Sequence, residues 1–284
     1  MAMDFITDIL QYRYLSNAVI ACLLSGITCG IIGTYIVARR MVFLCGGITH
    51  ASFGGLGIAF YLGANPILGA TIFAVLSALG IEWSNSRSKI RPDSAIGMVW
   101  GIGMAIGALF ISLRPGYTSG DMANFLFGSI ITVTQGDITA LTILASLLIV
   151  GTIVWHRPIM YVAFDRNFAE ASGVAVKLIS YAMAVITAIT IVLSIRTMGI
   201  VLLISLLTMP VVTASTLFND YRKIIPTAVA VASACGVAGI AFSYHTEVPS
   251  GPAIIFMLTM AFLTIKLLSL WVKHSKRERR ASQK

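Results

Sequence analysis

Apolar residues run along the chain in long blocks, and short polar or basic clusters separate them. A helix crosses a bilayer with about 20 apolar residues. Nine blocks approach that length, at roughly 15–38, 42–63, 66–83, 94–113, 136–155, 176–195, 198–218, 224–243 and 252–272. The breaks are brief: Arg39 and Arg40 part the first two blocks, and a turn at Arg196 to Met198 parts the sixth and seventh. The pattern predicts an all-α, polytopic membrane helix bundle of eight or nine spans, with residues 1–284 forming a single transmembrane domain. In the eight-span version one segment dips in and out.

Composition sharpens this picture. Of 284 residues, 57% are hydrophobic and 11% charged, with a mean hydropathy of +0.90. Soluble domains carry about 25% charged residues, so this chain cannot coat itself with polar groups and must face lipid. The opening MAMDFITDIL has two aspartates and no basic stretch, which does not fit a cleavable signal.

The net charge of +9 is organised by the spans. Cations gather at Arg39–Arg40, at Arg87, Lys89 and Arg91, at Arg222–Lys223, and in the tail 273–284. They would all share one side, together with 156–175, while the opposite loops 62–65, 114–135, 195–197 and 244–251 hold only Arg114 and Arg196. The positive-inside rule then places the N-terminus outside and the basic tail in the cytoplasm, and reads the charge as contact with anionic headgroups rather than nucleic acid.

Two connecting segments look structured. Residues 121–134, DMANFLFGSIITVT, are too short to span and read as an amphipathic helix at the outer surface. Residues 162–175, VAFDRNFAEASGVA, interleave Asp165, Arg166 and Glu170 with Phe164 and Phe168, and read as a short cytoplasmic helix ending near Gly173. Such a helix either lies on lipid or docks a soluble partner.

One imidazole stands out. His50 lies inside the second span, where polar groups are costly and mark pathways. Gly46, His50 and Gly54 fall on one helical face at i, i+4 and i+8, beside a second small row of Gly47, Ala51 and Gly55. Small rows let helices approach closely, so His50 faces protein. It is either a structural histidine hydrogen-bonded to a neighbouring helix or a metal ligand, the commonest ligand side chain being imidazole. Partners are sparse. Thr49 and Cys45 are nearby, and a second copy of the chain would bring a second His50. Cys22, Cys29, Cys45 and Cys235 show no paired spacing and read as small apolar side chains. His245 and Glu247 form either an outer collecting point or an ordinary solvated loop. Pro210, in the seventh span, predicts a kink for alternating access or for packing, with Thr208 and Thr213 able to satisfy the freed groups.

No GxxxxGK[ST] loop and no HExxH motif occurs, so nothing marks the chain as an enzyme, and ATP binding of that kind is not expected. A pump would draw its energy from another subunit or from an ion gradient.

Five segments, in order, resemble the permease subunits of bacterial zinc, manganese and iron importers, the ABC-3 family. Arg39-Arg40-Met41 leads into Cys45-Gly46-Gly47-Ile48-Thr49-His50-Ala51, similar to the family's R-R-M and G-D-x-x-[SA]-H-A. Leu126 to Thr134, LFGSIITVT, Phe168 to Val174, FAEASGV, Gly199 to Ala214, GIVLLISLLTMPVVTA, and Val248 to Pro252, VPSGP, resemble its later motifs. The resemblance covers Gly30 to Leu268. It implies a cobalamin-importer-like permease in the bacterial plasma membrane, working as a homodimer with two cytoplasmic ATPase subunits that bind the ATP and an extracytoplasmic metal-binding protein. It implies that 162–175 is the coupling helix, that 114–131 and 244–252 meet the binding protein, and that a divalent metal (zinc, manganese or iron) moves past His50 with no resident cofactor on this chain. One position departs: Gly46 stands where the family has aspartate, which removes a hard oxygen ligand one turn before His50. The rival readings are an ion-gradient-driven secondary transporter, for which no span centre supplies an acid, and a membrane scaffold in which His50 only packs.

Overall fold

The computed structural model describes the backbone of residues 2–87, 90–113 and 133–281, and side chains there except at 2–4, 6, 86, 87 and 272–281. Among the described residues every regular element is a helix: α1 (Ala2–Gln11), α2 (Arg13–Ala38), α3 (Phe43–Leu62), α4 (Pro66–Arg87), α5 (Pro92–Ser112), α6 (Gln135–Phe164), α7 (Arg166–Ala171), α8 (Val176–Met198), α9 (Ile200–Leu217), α10 (Tyr221–Thr246) and α11 (Ser250–Ala281). Nine of them, all but α1 and α7, are long and apolar enough to cross a membrane. These nine candidate spans match the nine apolar blocks of the sequence.

Local chemistry sets the boundaries. α2 stops because Arg40 takes a left-handed conformation (φ 57°). The Met41 and Arg40 amides then close back on the carbonyls of Ile36 and Val37, a Schellman turn. Gly63 (φ 67°) ends α3 and Gly173 (φ 77°) follows α7 in the same way. Thr134 and Asp137 cap α6 reciprocally, Asp165 caps α7, and Asp220 caps α10, each satisfying amides that a helix start leaves free.

Several boundaries differ from the sequence reading. The fifth span does not end near 155: α6 continues to Phe164, through non-helical geometry at Trp155 (φ −109°, ψ 22°). Pro158 explains that break, since its ring opposes the Val154 carbonyl and removes an amide. The helix expected over 162–175 is accordingly shorter. Residues 162–164 belong to α6, and α7 has only 6 residues. Arg196 to Met198 are the last turn of α8 rather than a loop, and the break falls at Gly199 (φ 80°). Pro210 sits inside a continuous α9. Thr208 and Thr213 donate to the carbonyls of Ile204 and Met209, so neither serves the Leu206 carbonyl that Pro210 leaves free. The tail continues α11 as helix to Ala281. α1 lies ahead of the first predicted span. The helix expected over 121–134 falls, up to residue 132, outside the described residues.

α2 and α3 form the centre, with 72% and 78% of their most apolar stretches buried, against 22% for α6 and 17% for α11. α3 packs most extensively on α5, then on α4, while α10 covers α2. Glycines make this possible. A Cβ at Gly33 would strike the Leu207 carbonyl oxygen of α9, and one at Gly55 the Gly69 carbonyl oxygen of α4. Backbone there has no room for any side chain.

Candidate functional site

His50 is the centre of the candidate site. It is half-buried in α3, and its ring lies flat on the indole of Trp100 in α5, centroids 4.3 Å apart and planes at 11°. The glycine rows create this cradle. A Cβ at Gly46 would meet Trp100 Cζ3 at 3.0 Å, and one at Gly54 would meet the Gly103 carbonyl oxygen at 2.8 Å. Gly47 abuts Ile96, and Gly103 abuts Ala51. The small faces thus bring α3 and α5 into contact, as the spacing implied, and Trp100 uses the space that Gly46 leaves. Sequence reasoning passed over Trp100, which has no marker beyond being an aromatic residue in a glycine-rich span.

Among the described residues, His50 Nδ1 and Thr49 Oγ1 are buried without a hydrogen-bond partner. A buried imidazole nitrogen with no partner in the chain is left to meet a ligand, which it does as a lone pair when the proton sits on Nε2. The structure does not bring the other sequence candidates to it. Cys45 is fully buried, and five residues along a helix of about 3.6 residues per turn put it on a different face from His50. His245 and Glu247 are exposed at the far end of α10, where His245 packs against Tyr244 and Phe5. Tyr244 donates a hydrogen bond to Asp8 there. Among the described residues no group of three or more His, Cys, Asp or Glu side chains is placed to hold a metal ion. His50 therefore offers one nitrogen, and any coordination shell has to be completed from elsewhere.

The end of the bundle that carries Arg39 holds the residues expected in the 162–175 helix. Asp165 accepts from the Asn167 and Phe168 amides. Phe164 packs edge-on against Tyr221 at 4.7 Å and Phe168 against Tyr161 at 5.3 Å. Phe164, Phe168 and Glu170 remain exposed. Arg166 turns inward instead, to Glu82 Oε1 at 2.9 Å and Ser180 Oγ at 3.2 Å. Glu82 is only 3% exposed, and its other oxygen accepts from Arg39 at 3.0 Å. Burial works against the Arg39 charge, yet Tyr35 and Glu82 hold its pKa above the ordinary value. At the opposite end Asp137, equally buried, pairs with Arg196 Nε at 2.9 Å. Sequence reasoning missed both carboxylates. A signal existed for Glu82, because no other acid occurs between Asp8 and Asp93.

Among the described residues, nine helices long and apolar enough to span define a polytopic, all-helical membrane protein. The chain belongs to the ABC 3 transport family, whose model matches residues 11–269. It is 36% identical over 259 residues to an uncharacterized membrane protein of Synechocystis, covering 89% of this chain and 90% of that one. It is 32% identical over 260 residues to the manganese transport system membrane protein MntC of Listeria monocytogenes, covering 92% of each. Among solved structures it resembles PsaBC from Streptococcus pneumoniae in complex with Fab, with TM-score 0.83 and 26% identity over 96% of this chain and all of that one. The chain is a multi-pass protein of the bacterial plasma membrane.

Proposed function

We propose that this chain is the permease subunit of an ATP-driven importer that moves a divalent transition metal into the cytoplasm past His50. The observation that carries the reading is the buried, unpartnered Nδ1 of His50, because a neutral imidazole nitrogen is a metal ligand. Manganese is the first candidate substrate, since a relative covering 92% of the chain is named for manganese transport; zinc and iron are the others.

Four further assignments belong to this reading, in which residues 1–284 act as one domain. The basic bias puts the Arg39 end and the 273–284 tail in the cytoplasm. There α7, with exposed Phe168 and with exposed Phe164 at the end of α6 just before it, is the coupling helix that meets a separate ATPase subunit, which binds the ATP. A second copy of the chain brings a second His50. An extracytoplasmic binding protein delivers the metal near His245 and Glu247. One observation favours a competing role: the Trp100 stack would also suit a histidine that only packs.

The test is reconstitution of the chain with its ATPase and binding protein in proteoliposomes, with Mn2+, Zn2+ and Fe2+ offered singly. ATP-dependent accumulation of one metal is expected. No accumulation of any of them contradicts the reading.

A further inference from the structure

Glu82 is buried where four segments meet. One oxygen accepts from Arg39, the residue that follows α2, at 3.0 Å, and the other from Arg166 of α7 at 2.9 Å. Arg166 Nη2 also reaches Ser180 of α8 at 3.2 Å, and Arg39 Nη1 reaches the Tyr35 hydroxyl at 3.0 Å. Glu82 itself belongs to α4. A single carboxylate therefore holds two guanidiniums that would otherwise repel across a buried gap. Charge-assisted bonds of this kind are short and strongly directional.

The position matters because α7 is weakly held otherwise. It has 6 residues, below the length at which a helix stabilises itself. Its packing is mainly against its chain neighbours α6 and α8, with Ala169 seated against Val162 and Val176. Among the described residues, the ion pair with Glu82 carries α7 beyond these two neighbours. It joins α7 to α4 and to the Arg39–Arg40 turn, which runs directly into α3, the helix of His50. α4 also packs on α3.

We propose that Glu82 is a positioning residue for transport: by locking Arg166 of α7 to Arg39 at the α2–α3 turn, it passes displacement of α7 to the spans that carry the metal pathway. The proposal rests on α7 being the site where an ATPase subunit docks. The chemistry is a fixed ionic bridge with no proton or bond exchange. A carboxamide at position 82 keeps the size and an acceptor but loses the charge that holds both arginines.

The experiment uses the full complex in proteoliposomes and reads Mn2+, Zn2+ or Fe2+ taken up per ATP hydrolysed, for the native chain, Glu82→Gln, Arg166→Gln and the double variant. Arg166→Gln leaves the Arg39–Glu82 pair intact and guards against misfolding of the first variant. The expected result is a fall in the uptake-to-hydrolysis ratio of about five-fold or more in each single variant. ATP hydrolysis persists, and the double variant falls no further. A purely structural role would lower the amount of assembled complex and leave the ratio per complex unchanged. Native uptake with unchanged ratios in both single variants overturns the Glu82 role alone. A native complex that takes up none of the three metals with ATP overturns the transport reading, and the role of Glu82 with it.

Discussion

The imidazole of His50 rests parallel on the indole of Trp100, 4.3 Å between centroids, and the glycine at position 46 leaves the indole its room, since a Cβ there would press on Cζ3 at 3.0 Å. Aromatic contacts of this type contribute about 0.5–1.5 kcal/mol beyond area burial. Trp100 therefore fixes the ring plane and leaves Nδ1 as the unpaired atom. Gly46→Asp should drive the indole away, because its Cβ alone would reach Cζ3 at 3.0 Å. In a chain whose exposed Trp83, Trp155 and Trp271 are replaced by phenylalanine, Trp100 emission should shift on that substitution, with about 1–3 kcal/mol of destabilisation from overpacking. An unchanged spectrum would contradict the cradle.

Close helix approach makes a sharper prediction at Gly33. Gly33→Ala puts a methyl group into the Leu207 backbone carbonyl, whereas a Cβ at Gly101 meets nothing within 4 Å. Gly33→Ala should lower the thermal midpoint of the detergent-solubilised chain, at a cost of about 1–3 kcal/mol or more. Gly101→Ala should leave the midpoint unchanged or slightly raised, since alanine favours helix. Equal effects would remove the argument that α2 and α9 touch through backbone.

The Asp137–Arg196 pair is asymmetric, with side-chain exposure of 6% and 42%. Arg196→Ala strands a buried carboxylate that keeps only its Thr134 bonds. Asp137→Asn strands a guanidinium that water can reach. The first change should therefore destabilise more than the second, by about 1–3 kcal/mol. Thermal unfolding of both variants in detergent checks the order, and a reversed order would mean that the pair does not anchor α6 to α8.

Sidedness follows from the basic bias and is directly measurable. Ala64 and Ser172 are exposed at opposite ends of the bundle. Ala64→Cys should react with an impermeant maleimide in intact cells, and Ser172→Cys only after permeabilisation. The ATPase subunit should then protect Ser172→Cys. Labelling of both positions in intact cells would overturn the orientation.

Hydropathy made the nine spans legible because each is an apolar block closed by charges, as Arg39 and Arg40 close α2. The glycine rows of α3 were legible too, since helical spacing puts them on one face whatever lies opposite. What lay opposite was not. Trp100 is distant in sequence, and nothing in a lone tryptophan says that it fills the space above Gly46. Glu82 was overlooked because it stands at the end of a span, where an acid reads as solvated. Its two arginines come from residues 39 and 166, so only the fold shows that it is buried. The α6 extension was hidden because His156, Arg157 and Pro158 look like a span end, yet the helix bends at Trp155 and continues. Pro210 drew attention as a kink site, but α9 runs through it.

The central claim is that His50 touches the transported metal. The direct measurement is cellular manganese, zinc and iron by elemental mass spectrometry, in cells expressing the chain with its ATPase and binding protein, for native and His50→Ala forms at matched complex levels. The account predicts that one metal accumulates with the native chain and that His50→Ala abolishes the gain while the complex still assembles. Unchanged accumulation in His50→Ala would contradict it and leave His50 as a packing residue under Trp100.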